Sequence, residues 1–338
     1  MELFIAQSCV GAARRGQCYA DTANDLRRRD IKPRAGVGHE TAGSNPPALL
    51  SVLFGDPSFA RRRDVQTATA TSLLLPPPLA ADLGKHSRAE VTSGESGSRV
   101  IRFERSGGSS VYLKSRGFGT PPGGRQLFDE AERLSWMHAV GLPVPAVLQY
   151  HEWKGGEYLL LTAVPGSDAS VSRPPEQHGA IVTALAAGLR SLHATNISAC
   201  PFDQSRRVRV AAAEALVRAG LVREEDFDTT RQGRTAVDLY SELVARSPSS
   251  EDRTFTHGDY CLPNVILTGD GAGGFRVSGF VDCANAGIAD RYQDLALCAR
   301  SIADNFGQEW VQPLFARYGL DRADEDKLAY YQLLDEFF

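Results

Sequence analysis

From about residue 85 onward, hydrophobic and polar positions settle into regular patterns. Val100–Glu104 and Ser110–Lys114 read as two strands joined through Gly107-Gly108, a β-hairpin. Leu127, Ala131, Leu134 and Met137 then recur at helical spacing, and Gly141 follows as a stop. Two more strands, Ala146–Glu152 and Glu157–Thr162, flank Gly155-Gly156. The first half is therefore expected to be a small sheet with one inserted helix. Beyond residue 167 the spacing turns helical. Ile181, Leu185, Leu189 and Leu192 share a face, and further helices are expected at Val208–Ala219, Val237–Arg246, Arg291–Asn305, Trp310–Tyr318 and Asp324–Leu334. One hairpin interrupts them, Asn264–Thr268 and Arg276–Asp282 around GDGAGG. Strands first and helices second predict an α+β fold of two lobes with a cleft between them.

The chain has 338 residues, 42% of them hydrophobic and 23% charged, enough for a core of full size. No run of 18 apolar residues predicts a membrane span. Glu2, with Gln7 and Ser8 breaking the apolar run, argues against a secretory signal, so a cytoplasmic location is expected. Cys9, Cys18, Cys200, Cys261, Cys283 and Cys298 form no CxxC pair, which fits reduced thiols rather than a zinc site or a disulfide framework.

Residues 1–70 carry two triple-arginine clusters and no lasting period, with a net charge of +3 against −7 for the remainder. Residues 1–72 are thus expected to be a disordered basic extension, 73–166 a nucleotide-binding lobe with a hinge, and 167–338 a catalytic and acceptor-binding lobe. The acidic body disfavours nucleic acid as a partner and suits a cationic one.

Chemistry concentrates in HGDYCLPN, residues 257–264. Phosphoryl transfer to a hydroxyl needs a carboxylate at the acceptor oxygen. It also needs hard oxygen ligands for magnesium, because charge on the transferred group has to be neutralised. Protein kinases place a catalytic-loop Asp five residues before a metal-binding Asn. Asp259 and Asn264 repeat that spacing, with Gly258 where kinases carry Arg. GFVDC (279–283) puts Asp282 at the end of the next strand, where a second magnesium-binding carboxylate belongs. Either acid alone reads as a turn residue; the pair in this context reads as a site. Lys114 is placed to reach nucleotide phosphates, with Glu130 to pair with it. Ser96 and Gly97, in SGESGS (93–98), offer backbone N–H groups to phosphates.

HGDYCLPN, GFVDCANAGIADRYQDLAL and the terminal YYQLLDEFF resemble the aminoglycoside 3′-phosphotransferases, the kanamycin and neomycin kinases. The likeness covers about residues 85–338. It implies a protein-kinase-like two-lobed fold using ATP (or GTP) and Mg²⁺, and a role for each matching position. Asp259 would be the base or hydroxyl-orienting group, and Asn264 and Asp282 the metal ligands. Lys114 would be the phosphate lysine held by Glu130, Ser96 and Gly97 part of the nucleotide loop, and Asp294 a brace for the catalytic loop. The antibiotic would meet Asp335, Glu336 and the carboxylate of Phe338, with Arg300 and Asp304 on the preceding helix and Glu225 and Asp228 on an acidic loop. A polycationic substrate independently calls for many acceptors and few competing cations. One departure is Ala284-Asn285, where many members carry Gly-Arg. The rival readings are a kinase of the same fold acting on another small hydroxyl compound, such as a macrolide or an amino alcohol, and a non-catalytic nucleotide-binding protein.

Overall fold

The computed structural model describes residues 75–338 apart from 85, 92–97, 106–108 and 120–124. The expectations for residues 1–72 and for Ser96 and Gly97 lie outside the described residues. A short helix, α1 (Pro77–Leu83), comes first; Pro77 takes the first helical position, where a missing N–H costs nothing. Five antiparallel strands follow: β1 (Ser87–Val91), β2 (Arg99–Glu104), β3 (Ser110–Gly117), β4 (Val147–Trp153) and β5 (Gly156–Thr162), ordered β1-β2-β3-β5-β4. Helix α2 (Gln126–Ala139) is inserted between β3 and β4.

Alternation along the strands sorts side chains onto two faces. Ile101, Phe103, Val111, Leu113 and Leu160 pack on Leu79 and Leu83 of α1. Leu159 and Leu161 join Leu127, Leu134 and Met137 of α2 in a larger core that continues into the helical lobe. Lys114 follows Leu113 and so faces the α2 side of the sheet. The N-terminus of α2 has no capping side chain of its own. Instead Glu157, fully buried on β5, accepts from the Phe128 backbone N–H at 2.9 Å.

The second lobe holds α3 (His178–His193), α4 (Arg206–Ala219), α5 (Ala236–Ala245), α6 (Tyr292–Phe306), α7 (Val311–Tyr318) and α8 (Glu325–Asp335). Threaded among them are β6 (Ser167–Asp168), β7 (Arg253–Thr256), β8 (Val265–Gly269), β9 (Phe275–Phe280) and β10 (Gly287–Asp290), in two small sheets, β6-β8-β9 and β7-β10. Among the described residues no helix is long and apolar enough to cross a membrane.

The two-lobed α+β architecture matches the sequence expectation, with three corrections. The sheet lobe carries two helices rather than one, because seven-residue α1 is too short to show a period. Strands β1, β6, β7 and β10 were not anticipated; β6 has two residues and β7 and β10 four each, too few to show an alternation. The last hairpin strand ends at Phe280, so Asp282 lies beyond it, in a left-handed conformation with φ 59° at the start of a 3-10 turn.

Candidate active site

His257–Asn264 leaves β7 as a loop whose shape is set by one buried carboxylate. Asp294, on the first turn of α6, accepts from the His257 and Gly258 backbone N–H groups at 2.8 Å each, and its Oδ2 lies 3.1 Å from His193 Nε2. Gly258 turns the chain with φ 83°, and a Cβ there would collide with the Asn285 carbonyl oxygen. Glycine at 258 is thus a backbone requirement of this loop, and Asp294 occupies the bracing position expected of it.

Asn264 spends its amide hydrogens on Asp259, donating to Oδ2 at 2.8 Å and to the backbone carbonyl at 3.1 Å. That orientation leaves the Asn264 Oδ1 available as a hard oxygen donor. Asp259 is partly buried, and burial followed by the nearby charge of Asp335 pushes its carboxyl above the usual carboxylate range. Across the cleft, Lys114 Nζ meets Glu130 Oε1 at 2.6 Å and makes a still closer contact with Asp282 Oδ1. Burial works against the ammonium, but Asp282 and Glu130 outweigh it and hold Lys114 protonated. Glu130 is 2% exposed and Asp282 is open to solvent. Helix α2 is tied to the loop after Asp282 a second time, through Arg133 Nε to the Ala286 carbonyl at 2.9 Å.

At the C-terminal end Asp335, Glu336, Asp228 and Asp304 lie around Arg300, and Glu225 does not. Asp335 forms a close ion pair with Arg300, whose second nitrogen is 4.0 Å from Glu336. Glu336 accepts from the Asp228 backbone N–H at 2.9 Å and from Arg231 at 2.9 Å, and Arg231 also closes on Asp228. Burial pushes the Glu336 and Asp304 carboxyls up. Asp304 lies one turn beyond Arg300 on α6 and within its field. Glu225 is exposed on a 3-10 turn, with no hydrogen bond or ion pair to the cluster among the described residues.

The expectation of few competing cations fails. Arg300 and Arg231 enter this end of the site, because crowded, half-buried carboxylates need counter-charge to stay ionised, and Arg209 stands beside them on other partners. Arg209 fills the surroundings of the departure at Ala284-Asn285: Nη1 donates to Asn285 Oδ1 at 3.2 Å, and the guanidinium lies over the Phe338 ring, 3.6 Å from its centroid. Neither Arg209 nor Arg231 stands in a motif, and only the fold brings them in. Among the described residues no cluster of three His, Cys, Asp or Glu could hold a metal by itself. Cys261, Cys283 and Cys298 are free thiols pushed up by burial, the pattern of unreactive structural cysteines.

A sheet lobe presenting a lysine–glutamate pair to a helical lobe with an Asp-to-Asn loop and a second carboxylate defines a kinase-like phosphotransferase. The chain belongs to the phosphotransferase enzyme family, whose pattern matches residues 86–331. It is 37% identical over 250 residues to an aminoglycoside 3′-phosphotransferase of Niallia circulans, covering 72% of this chain and 90% of that one. The crystal structure of an aminoglycoside 3′-phosphotransferase of type VIII superposes with a TM-score of 0.69 at 38% identity, over 77% of this chain and 97% of the other. A Streptomyces rimosus aminoglycoside phosphotransferase solved with ADP and streptomycin gives 0.62 at 27% identity, over 77% and 95%.

Proposed function

We propose that this protein transfers the γ-phosphoryl group of ATP (or GTP), with Mg²⁺, to the 3′-hydroxyl of aminoglycoside antibiotics and so confers resistance to them. One observation carries the reading: Leu262 of the catalytic loop donates its backbone N–H to Ser301 Oγ at 3.0 Å, and Arg300, the preceding residue of α6, pairs with Asp335, which supports a single site built from the loop and the C-terminal acids. The names and ligands of the relatives support it.

Asn264 Oδ1 and the Asp282 carboxylate fit magnesium, a hard cation held by one or two protein oxygens and completed by phosphate oxygens and water. When bound, magnesium supplies neutralisation of the charge on the transferred group. Lys114, fixed by Glu130, binds phosphate as a point charge. Asp259 orients the acceptor hydroxyl and takes its proton, its carboxylate pinned through Oδ2 by Asn264. The side chains of Asp304, Asp335 and Glu336, together with the Phe338 carboxylate, bind ammonium groups and bring the hydroxyl to Asp259, where alignment contributes as much as proton transfer.

Regiochemistry tests the assignment. Kanamycin A, which has the 3′-hydroxyl, is expected to be phosphorylated. Tobramycin, its 3′-deoxy relative, is expected to inhibit competitively without turning over, since its ammonium groups still meet the acids. Rapid phosphate transfer to tobramycin would rule out the 3′ position. Inertness toward both compounds, with turnover of a macrolide or choline, would replace the acceptor class.

A further inference from the structure

Helix α4 enters the protein through an arginine. Its buried residues are Arg209 and Ala213 alone, and Arg209 is only 7% exposed. Such a group ordinarily sits against a carboxylate. Among the described residues no carboxylate oxygen lies within ion-pair distance, and its hydrogen bond goes to a neutral amide, engaging one of a fork of five N–H donors. A second contact is the face of the Phe338 ring. Burial lowers the affinity of Arg209 for its proton, while the charges of Asp335 and Asp259 restore part of it. One guanidinium therefore touches the loop three residues past Asp282 and the last residue of the chain, and lies in the field of Asp259. It also shares a crevice with Gly258 and Gln293 at the base of the catalytic loop.

The contact matters because of what Phe338 lacks. The residue is 48% exposed, and among the described residues its backbone is held by one N–H bond, to the Asp335 carbonyl at 3.2 Å. Helix α8 has ended, and a terminal residue with so little burial frays unless it is tied down. A planar cation stacked on an aromatic face is such a tie, and it is strongest where water is excluded, as it is around Arg209.

We propose that Arg209 is the positioning residue for the chain's C-terminus: stacked on the Phe338 ring and anchored to Asn285, it fixes the terminal residue relative to the loop that follows Asp282. The direct consequence is an ordered C-terminus. A further consequence, resting on the aminoglycoside reading, is that the terminal carboxylate is held where a substrate ammonium meets it.

Two variants break the contact from opposite sides. Arg209→Met keeps length and packing but loses charge and plane. Phe338→Ala keeps the terminal carboxylate but loses the ring, and it alters an exposed residue whose change leaves folding intact. Release of the last residue by a carboxypeptidase, followed by mass spectrometry on the full chain without substrate, is expected to be about tenfold faster for Arg209→Met than for the parent. An unchanged release rate overturns the clamp whatever the substrate is. Kinetically, each variant is expected to raise the KM for kanamycin A about tenfold, with kcat and the nucleotide KM within about twofold. The double variant is expected to be no worse than the more affected single one, because both remove the same contact. Multiplying effects, or a fall in kcat with KM unmoved, would overturn the positioning role. Faster release in a protein that does not accept kanamycin A would uphold the clamp and fail only the aminoglycoside reading.

Discussion

Asp259 is a carboxylate kept close to protonation by its surroundings. Burial raises its pKa first, the charge of Asp335 adds to that, and His257 opposes. A base acts only when ionised, so kcat is expected to fall on the acid side with a midpoint above the ordinary aspartate value of about 4. Asp335→Asn then moves that limb in a definite direction. It removes a negative neighbour and releases Arg300, whose field also reaches Asp259, and both changes favour the ionised form. The acid limb of kcat, measured with nucleotide and kanamycin A saturating, is expected to shift to lower pH, while KM rises. A limb that stays in place would show that Asp259 is not the titrating group. The residues behind this argument differ in how far sequence reveals them. Asp259, Asn264 and Asp282 are legible because phosphoryl transfer demands particular chemistry at fixed spacing. Arg209 and Arg231 are not, since they are helix and loop arginines in a chain rich in arginine, and only tertiary contact distinguishes them.

At the scale of elements, the catalytic loop is held by a helix it precedes by some thirty residues. Both oxygens of Asp294 are engaged by backbone N–H groups of His257 and Gly258, and all three residues are buried. Asp294→Ala strands two buried donors, at about 1–3 kcal/mol each. For a chain of this size that corresponds to a fall in Tm on the order of 5–15 °C, together with a fall in kcat of at least tenfold as the Asp259 geometry relaxes. Asp294→Asn keeps one accepting oxygen and is expected to lie between. A variant Asp294→Ala as stable and active as the parent would remove the brace from the account. The sequence pattern located α2, α3 and α6 well because each runs for 14 residues or more with a sustained apolar face. It missed β7 and β10, whose four residues carry no readable alternation, although their pairing, Gly287 opposite Thr256 to Asp290 opposite Arg253, sets the base from which the catalytic loop springs.

For the molecule as a whole, the nucleotide side of the site depends on a sheet covered on both faces. Lys114 stands on the central strand β3, with α2 on its own face and α1 behind it. Leu79 and Leu83 of α1 are 0% and 1% exposed against Ile101, Phe103 and Leu113, and Asp82 pairs with Arg105 at 2.8 Å. That arrangement separates two truncations ten residues apart. Removing residues 1–74 takes away the segment whose composition shows no lasting period, and is expected to leave Tm and kcat/KM within about 2 °C and twofold of the full chain. Removing residues 1–84 also takes away α1 and uncovers five apolar side chains of the sheet. Losing two buried leucines costs about 4–10 kcal/mol at the usual 2–5 each, so Tm is expected to fall by roughly 10 °C or more. The KM for nucleotide rises with it, because β3 no longer holds Lys114 rigidly against Glu130. Thermal unfolding and steady-state kinetics on the two shortened proteins decide the matter. A shorter cut that unfolds the protein would place the working boundary before residue 74. A longer cut that leaves Tm unchanged would mean that α1 adds nothing to the lobe it covers.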